Sequence, residues 1–140
     1  MHQCHPSIIA VSENTLAGYA LVCAREMQGQ HPLIDALFET LDQMVFKGER
    51  LQDIPYVLVG QLCVATTFRG HGVPQSLYQA FQLHYAKVYR YCITDVDVAN
   101  SRSLRVHLKT GFQIIKELHY GNATWHIVLW DWNKPTHRSI

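Results

Sequence analysis

Apolar residues fall along this chain in two alternating rhythms. Ile8 to Val11 is a short apolar run, Ser12, Glu13 and Asn14 supply a turn signal, and Gly18 to Ala24 is a second apolar run, so the segment predicts an antiparallel hairpin. From Pro32 the rhythm becomes helical: Ile34, Leu37, Phe38, Leu41, Met44 and Val45 repeat on one face, with Gly48 after the last of them. Tyr56 to Val64 (YVLVGQLCV) is rich in β-branched and aliphatic residues and too short for a comfortable helix, which predicts a central strand. After Gly70 and Gly72, the residues Leu77, Phe81, His84 and Val88 mark one face of a helix reaching about Tyr89. Tyr91 to Val98 then alternates as a strand.

Ser101 to Lys109 predicts a short helix between Asn100 as its cap and Gly111 as its stop. Two final strands, Phe112 to Leu118 and Thr124 to Trp132, flank a turn at Tyr120, Gly121 and Asn122. Pro135 to Ile140 is expected to be a loose tail. The order is ββαβαβαββ, an α+β domain with a mixed, mostly antiparallel central sheet and flanking helices. With 140 residues and no internal repeat, the expectation is a single domain over 1–140.

Composition narrows the function classes. An apolar share of 48% with 16% charged residues is that of a globular protein. The formal charge of +1 lacks the basic excess of a phosphate-neutralising surface, which argues against nucleic acid as a partner. Cys4, Cys23, Cys63 and Cys92 show no CxxC spacing and read as free thiols of a reducing compartment. There is neither a signal-like start nor an apolar run of about eighteen residues, so the expectation is a soluble, cytoplasmic protein with no membrane partner.

The informative junction is a strand, then Thr66-Thr-Phe-Arg-Gly-His-Gly-Val-Pro74, then a helix. Glycines let backbone N–H groups turn toward an oxyanion, and a helix N-terminus adds about half a positive charge. Two glycines before a helix are also a common tight turn, so both readings stand at this point. Thirty residues on, Asn100-Ser-Arg-Ser-Leu-Arg-Val-His-Leu-Lys-Thr-Gly-Phe112 follows another strand.

Together these two blocks resemble the GNAT superfamily of N-acetyltransferases. Its pyrophosphate loop, Arg/Gln-x-x-Gly-x-Gly/Ala, is matched by Arg69 and Gly72, with Pro74 departing at the last position. Its later block, Asn-x-x-Ser/Ala-x-x-x-Tyr/His-x-x-x-Gly-Phe, is matched by Asn100, Ser103, His107, Gly111 and Phe112. The likeness covers about Ser7 to Trp132 and begins at what would be the family's second strand, without the usual first strand and helix pair. The helix from Pro32 to Val45 is expected to serve as wall or lid in their place, or a partner subunit to cover the gap.

The resemblance implies transfer of an acetyl group from acetyl-CoA to a primary amine by direct attack, without a metal. The alternative is a degenerate acyl-CoA-binding domain; a longer acyl chain or a protein amine as acceptor also stays open. The resemblance places pantetheine between two splayed strands, on main-chain groups of Leu62, Cys63 and Val64. It places the pyrophosphate on amides of Arg69, Gly70, His71, Gly72, Val73, Gln75 and Ser76, with Asn100 and Ser103 beside the cofactor. His107 stands at the family's thiol-protonating position, and Gln61 where relatives carry a glutamate base, so that it orients a water. Asp95 and Asp97 are alternative bases or ordinary strand-face carboxylates. Arg102, Arg105 and Lys109 are a solvated basic face or reach the phosphates. A homodimer is expected through an edge strand at Ile8 to Val11 or near Trp130.

Overall fold

The computed structural model describes residues 5–12, 15–23, 32–64 and 72–132, with the backbone alone for 5–12, 15–23, 32–34, 60–64 and 73. The strands are β1 (His5–Ser12), β2 (Thr15–Cys23), β3 (Val45–Phe46), β4 (Glu49–Arg50), β5 (Tyr56–Val64), β6 (Tyr91–Asp97), β7 (Gln113–Tyr120) and β8 (Ala123–Asp131). The helices are α1 (Pro32–Asp42), α2 (Val73–Tyr85) and α3 (Ser101–Thr110), with a 3-10 turn at Leu51–Asp53. Six strands form one sheet in the order β1-β2-β5-β6-β8-β7, and β3 and β4 form a separate two-stranded ribbon. Every neighbouring pair in the large sheet is antiparallel except β5 and β6. That pair is parallel because α2 carries the chain back across the sheet between them.

Period-two alternation sorts the central strands onto two faces. Leu58, Tyr91, Ile93, Ile127 and Leu129 pack with Leu37, Phe38 and Leu41 of α1. Val57, Val59, Cys92, Val96 and Val128 pack with Tyr78, Phe81 and Tyr85 of α2 and with Phe112. The result is three layers: α1 on one side, the sheet, and α2 with α3 on the other.

Three expectations need correction. The Pro32 helix stops at Asp42, short of Val45, because Lys47 and Gly48 take φ of 54° and 81° and close a two-residue hairpin pairing Val45 with Arg50 and Phe46 with Glu49. Met44 still packs on the core, but Val45 is 62% exposed. The ribbon rests on the main body through the Phe46 ring, edge-on to Tyr91 at 5.5 Å, and through ion pairs from Lys47 to Asp131 and Arg90 to Glu49.

The buried face of α2 is Leu77, Tyr78, Phe81 and Tyr85, while His84 and Val88 are exposed and the helix ends at Tyr85. Both stripes have helical spacing and share Leu77 and Phe81; burying the rings of Tyr78 and Tyr85 removes more apolar surface from water than burying His84 and Val88 would. The third correction concerns edges. Trp130 lies in β8, between β6 and β7, so the sheet's edges are β1 and β7 and not the strand carrying Trp130.

Candidate active site

The parallel ladder between β5 and β6 is short. Its partners are Tyr56 with Tyr91, Val57 with Cys92 and Leu58 with Ile93, and the pairing ends there, although β5 runs on to Val64 and β6 to Asp97. Beyond Leu58 the two strands part, and the sheet has a fork at its centre. On its other edge β5 remains paired with β2 as far as Gly18 opposite Val64. That second ladder slips between Leu21–Gln61 and Val22–Val59, so Gly60 is an extra residue in β5, a bulge where the strand turns away from β6.

Leu62, Cys63 and Val64 therefore lie on the arm of the fork, with main-chain groups that no β6 partner uses. A chain-like ligand entering there finds backbone donors and acceptors in strand geometry, as an added strand would. Gln61 lies on the same arm, opposite Leu21 of β2.

The helix after the fork opens toward the same end. Gly72 caps α2 in the left-handed region at φ 76°, which glycine adopts without steric cost. Pro74 sits in the first turn, where its missing N–H interrupts no helical bond. The Ser76 amide already donates to the Gly72 carbonyl at 3.1 Å, so Val73 and Gln75 hold the first-turn N–H groups left without an intrahelical acceptor. Arg69, Gly70 and His71 lie outside the described residues.

α3 begins where β6 ends. Asn100 accepts the Ser103 amide on its side-chain oxygen at 3.0 Å, the expected cap, and this leaves its amide NH₂ for another acceptor. Asp97 spends one carboxylate oxygen on the Ala99 amide at 2.9 Å, closing the turn into α3. Asp95 stands half-buried on the α1 face of β6, across from Ile127.

His107 is 3% exposed, and both ring nitrogens are engaged. The Nδ1 atom is 2.7 Å from the Ser103 carbonyl, which can only accept, so Nδ1 carries the proton. Ser103 Oγ lies 3.4 Å from the same nitrogen. Nε2 then presents a lone pair, and the Tyr78 hydroxyl donates to it at 2.7 Å. Burial holds the imidazole pKa below its ordinary value, against the opposing effect of the Ser103 hydrogen bond. Burial also pushes the Tyr78 phenol well above its usual range, with Cys92 and Asp95 adding to the rise, so the hydroxyl stays protonated and donating.

The fold as a whole recurs in solved structures. The GNAT-family acetyltransferase of Streptococcus agalactiae 2603 matches with a TM-score of 0.62 at 18% identity, covering 88% of this chain and 63% of that one. The NatC complex bound to Gag peptide and CoA matches at 0.60 and 20%, covering 88% and 69%. The structure of yncA from Salmonella typhimurium with its cofactor acetyl-CoA matches at 0.56 and 16%, covering 91% and 64%. This chain has the GNAT acyltransferase fold. It spans roughly two thirds of the length of these structures. No family model matches the sequence, and no curated protein matches it.

Within the GNAT fold the later motif acts as a seat for α3. Gly111 has φ 131°, and a Cβ there would stand 2.7 Å from the Trp130 indole nitrogen, so this position takes glycine for both reasons. Phe112 is buried between Tyr78 and Trp130, with ring centroids 5.0 and 5.4 Å away. Arg102, Arg105 and Lys109 are exposed.

Three features of the site escaped the sequence reading. Gly60 had a signal, an isolated glycine inside a strand pattern. Tyr78 had none, because its partner is 29 residues away. Nor did Thr94, a buried residue whose hydroxyl donates to the Val59 carbonyl at 2.9 Å. Among the described residues no cluster of three His, Cys, Asp or Glu side chains is poised for a metal, and no helix is long and apolar enough to cross a membrane.

Proposed function

We propose that this chain is an N-acetyltransferase that moves the acetyl group of acetyl-CoA to a primary amine by direct attack. The observation that carries the reading is the fork, whose ladder ends at Leu58 and Ile93 while both strands continue. Pantetheine occupies it along Leu62, Cys63 and Val64. The pyrophosphate lies at the N-terminus of α2, on amides of Val73 and Gln75 and of the preceding loop from Arg69 to Gly72, where the helix dipole favours an anion. Asn100 and Ser103 border the cofactor. The bound acetyl-CoA of yncA and the bound CoA of NatC support the choice of ligand class.

Transfer needs a neutral amine to attack the thioester carbon, a donor to the carbonyl oxygen as charge develops on it, and a proton for the departing thiolate as the carbon–sulfur bond breaks. A main-chain N–H of the fork arm supplies the second. Gln61 orients the water that takes the amine's proton. His107 occupies the acid position, but it can give a proton from Nε2 only after Tyr78 releases that atom and the ring gains a second proton, a charged state that its burial opposes. This geometry favours the second reading, an acyl-CoA cradle without turnover, should His107 be needed as the acid.

Calorimetric titration with acetyl-CoA, followed by release of CoA thiol against a panel of small amines and peptides, separates these. Binding with thiol release establishes the transferase and its acceptor class. Binding without release across the panel selects the cradle, and absence of binding removes the cofactor assignment.

A further inference from the structure

The end of a parallel ladder leaves a carbonyl in search of a donor, and at the crotch of the fork that carbonyl belongs to Val59. The last backbone partners are Leu58 and Ile93. One residue further, the donor to Val59 is the side chain of Thr94, at 2.9 Å. Thr94 is 6% exposed and Val59 1%, so water does not compete for the bond. Immediately beyond, Gly60 forms the bulge that bends β5 away.

We infer that Thr94 is the positioning residue of the fork: its hydroxyl ends the β5–β6 ladder at a fixed rung and sets the direction in which the Leu62–Val64 main chain meets an acyl-CoA. The inference rests on the reading of the fork as the pantetheine cleft. A buried carbonyl must be paired. Were Val59 paired by a β6 main-chain amide, the ladder would extend by a rung and the fork would open later. With a side-chain donor the carbonyl is satisfied while the β6 backbone is free to diverge. Serine could supply the same hydroxyl; valine, which has the same shape without a donor, could not.

The test compares Thr94→Val and Thr94→Ser with Thr110→Val. Thr110 makes the same kind of bond, hydroxyl to the Val106 carbonyl at 2.8 Å, but within α3 and away from the fork. Calorimetric titration with acetyl-CoA is expected to show about tenfold weaker binding for Thr94→Val, on the scale of one lost buried hydrogen bond. Thr94→Ser should stay within about twofold of the natural chain, and Thr110→Val should be unchanged. A Thr94→Val chain that folds and binds as the natural one does overturns the inference.

Amide hydrogen exchange of the ligand-free chains supplies the second readout. Faster exchange confined to Gly60–Val64 in Thr94→Val, reversed in Thr94→Ser, supports the role whether or not acetyl-CoA binds. Unchanged exchange there, or loosening spread equally over the sheet, overturns it. If the natural chain does not bind acetyl-CoA, the proposed function fails by itself, and exchange alone decides on Thr94.

Discussion

Replacing Tyr78 by phenylalanine removes one oxygen atom and preserves the ring. The ring's neighbours are Phe112 at 5.0 Å, Phe81 at 6.0 Å and Trp130 at 6.1 Å, and a phenyl group keeps all of them, so no cavity opens. What is lost is the donor to His107 Nε2, on a side chain that is 3% exposed and whose other nitrogen is tied to Ser103. A buried acceptor left without a partner costs about 1–3 kcal/mol. Against a usual stability of about 5–15 kcal/mol this is a large share. Urea unfolding at pH 7.5, followed by circular dichroism, should show a lower midpoint with an unchanged denaturant slope. Adding His107→Leu to Tyr78→Phe should recover part of the loss, because two apolar groups leave nothing unpaired. A Tyr78→Phe chain within about 0.5 kcal/mol of the natural one would refute the pairing, being the scale of an ordinary surface substitution.

The same pair predicts a pH dependence. With its folded pKa depressed by burial, His107 contributes stability that is fully present above the unfolded value near 6.5 and is lost as pH falls from there through the folded value. Unfolding free energy should therefore drop more steeply between pH 7.5 and 5 in the natural chain than in His107→Leu, and parallel curves would contradict it. Gly111→Ala meets a backbone at φ 131° and the Trp130 ring at 2.7 Å, so the combined strain and overpacking should cost about 2–5 kcal/mol by the same urea assay. Asn100→Ala removes the cap of α3 and should cost about 1 kcal/mol, with Asn100→Ser retaining most of it.

Much of this fold is readable along the chain because each element satisfies its own pattern locally. The strand at Tyr56–Val64 has the predicted bounds, and α3 differs from its predicted span by one residue. What escaped lies between elements. The ribbon of β3 and β4 has two residues per strand, too few for alternation to show, and its Lys47–Gly48 turn interrupts a helical stripe that the side chains alone would continue. The choice of buried stripe on α2 depends on what the sheet and α3 present to it, and His107 is part of that surface. The end of the β5–β6 ladder is a relation between two strands, carried by a glycine and a threonine hydroxyl that have many other uses.

The motif from Asn100 to Phe112 also works through relations between elements. Asn100 caps α3, the Ser103 carbonyl accepts from His107, His107 pairs with Tyr78, Gly111 accommodates Trp130, and Phe112 fills the space between them. Each matching position thus has a structural task, and together these tasks dock α3 against α2 beside the fork. A cofactor held mainly by main-chain groups leaves few side-chain marks of its own. The motif is legible because the backbone that would hold the ligand has to be held in turn. Substitutions at its matching positions should therefore change stability and acetyl-CoA affinity together, and Thr94→Val should do the same from outside the motif: it leaves the buried Val59 carbonyl without a donor, so it should cost more stability than Thr110→Val, whose bond is only part-buried, and weaken affinity where Thr110→Val does not.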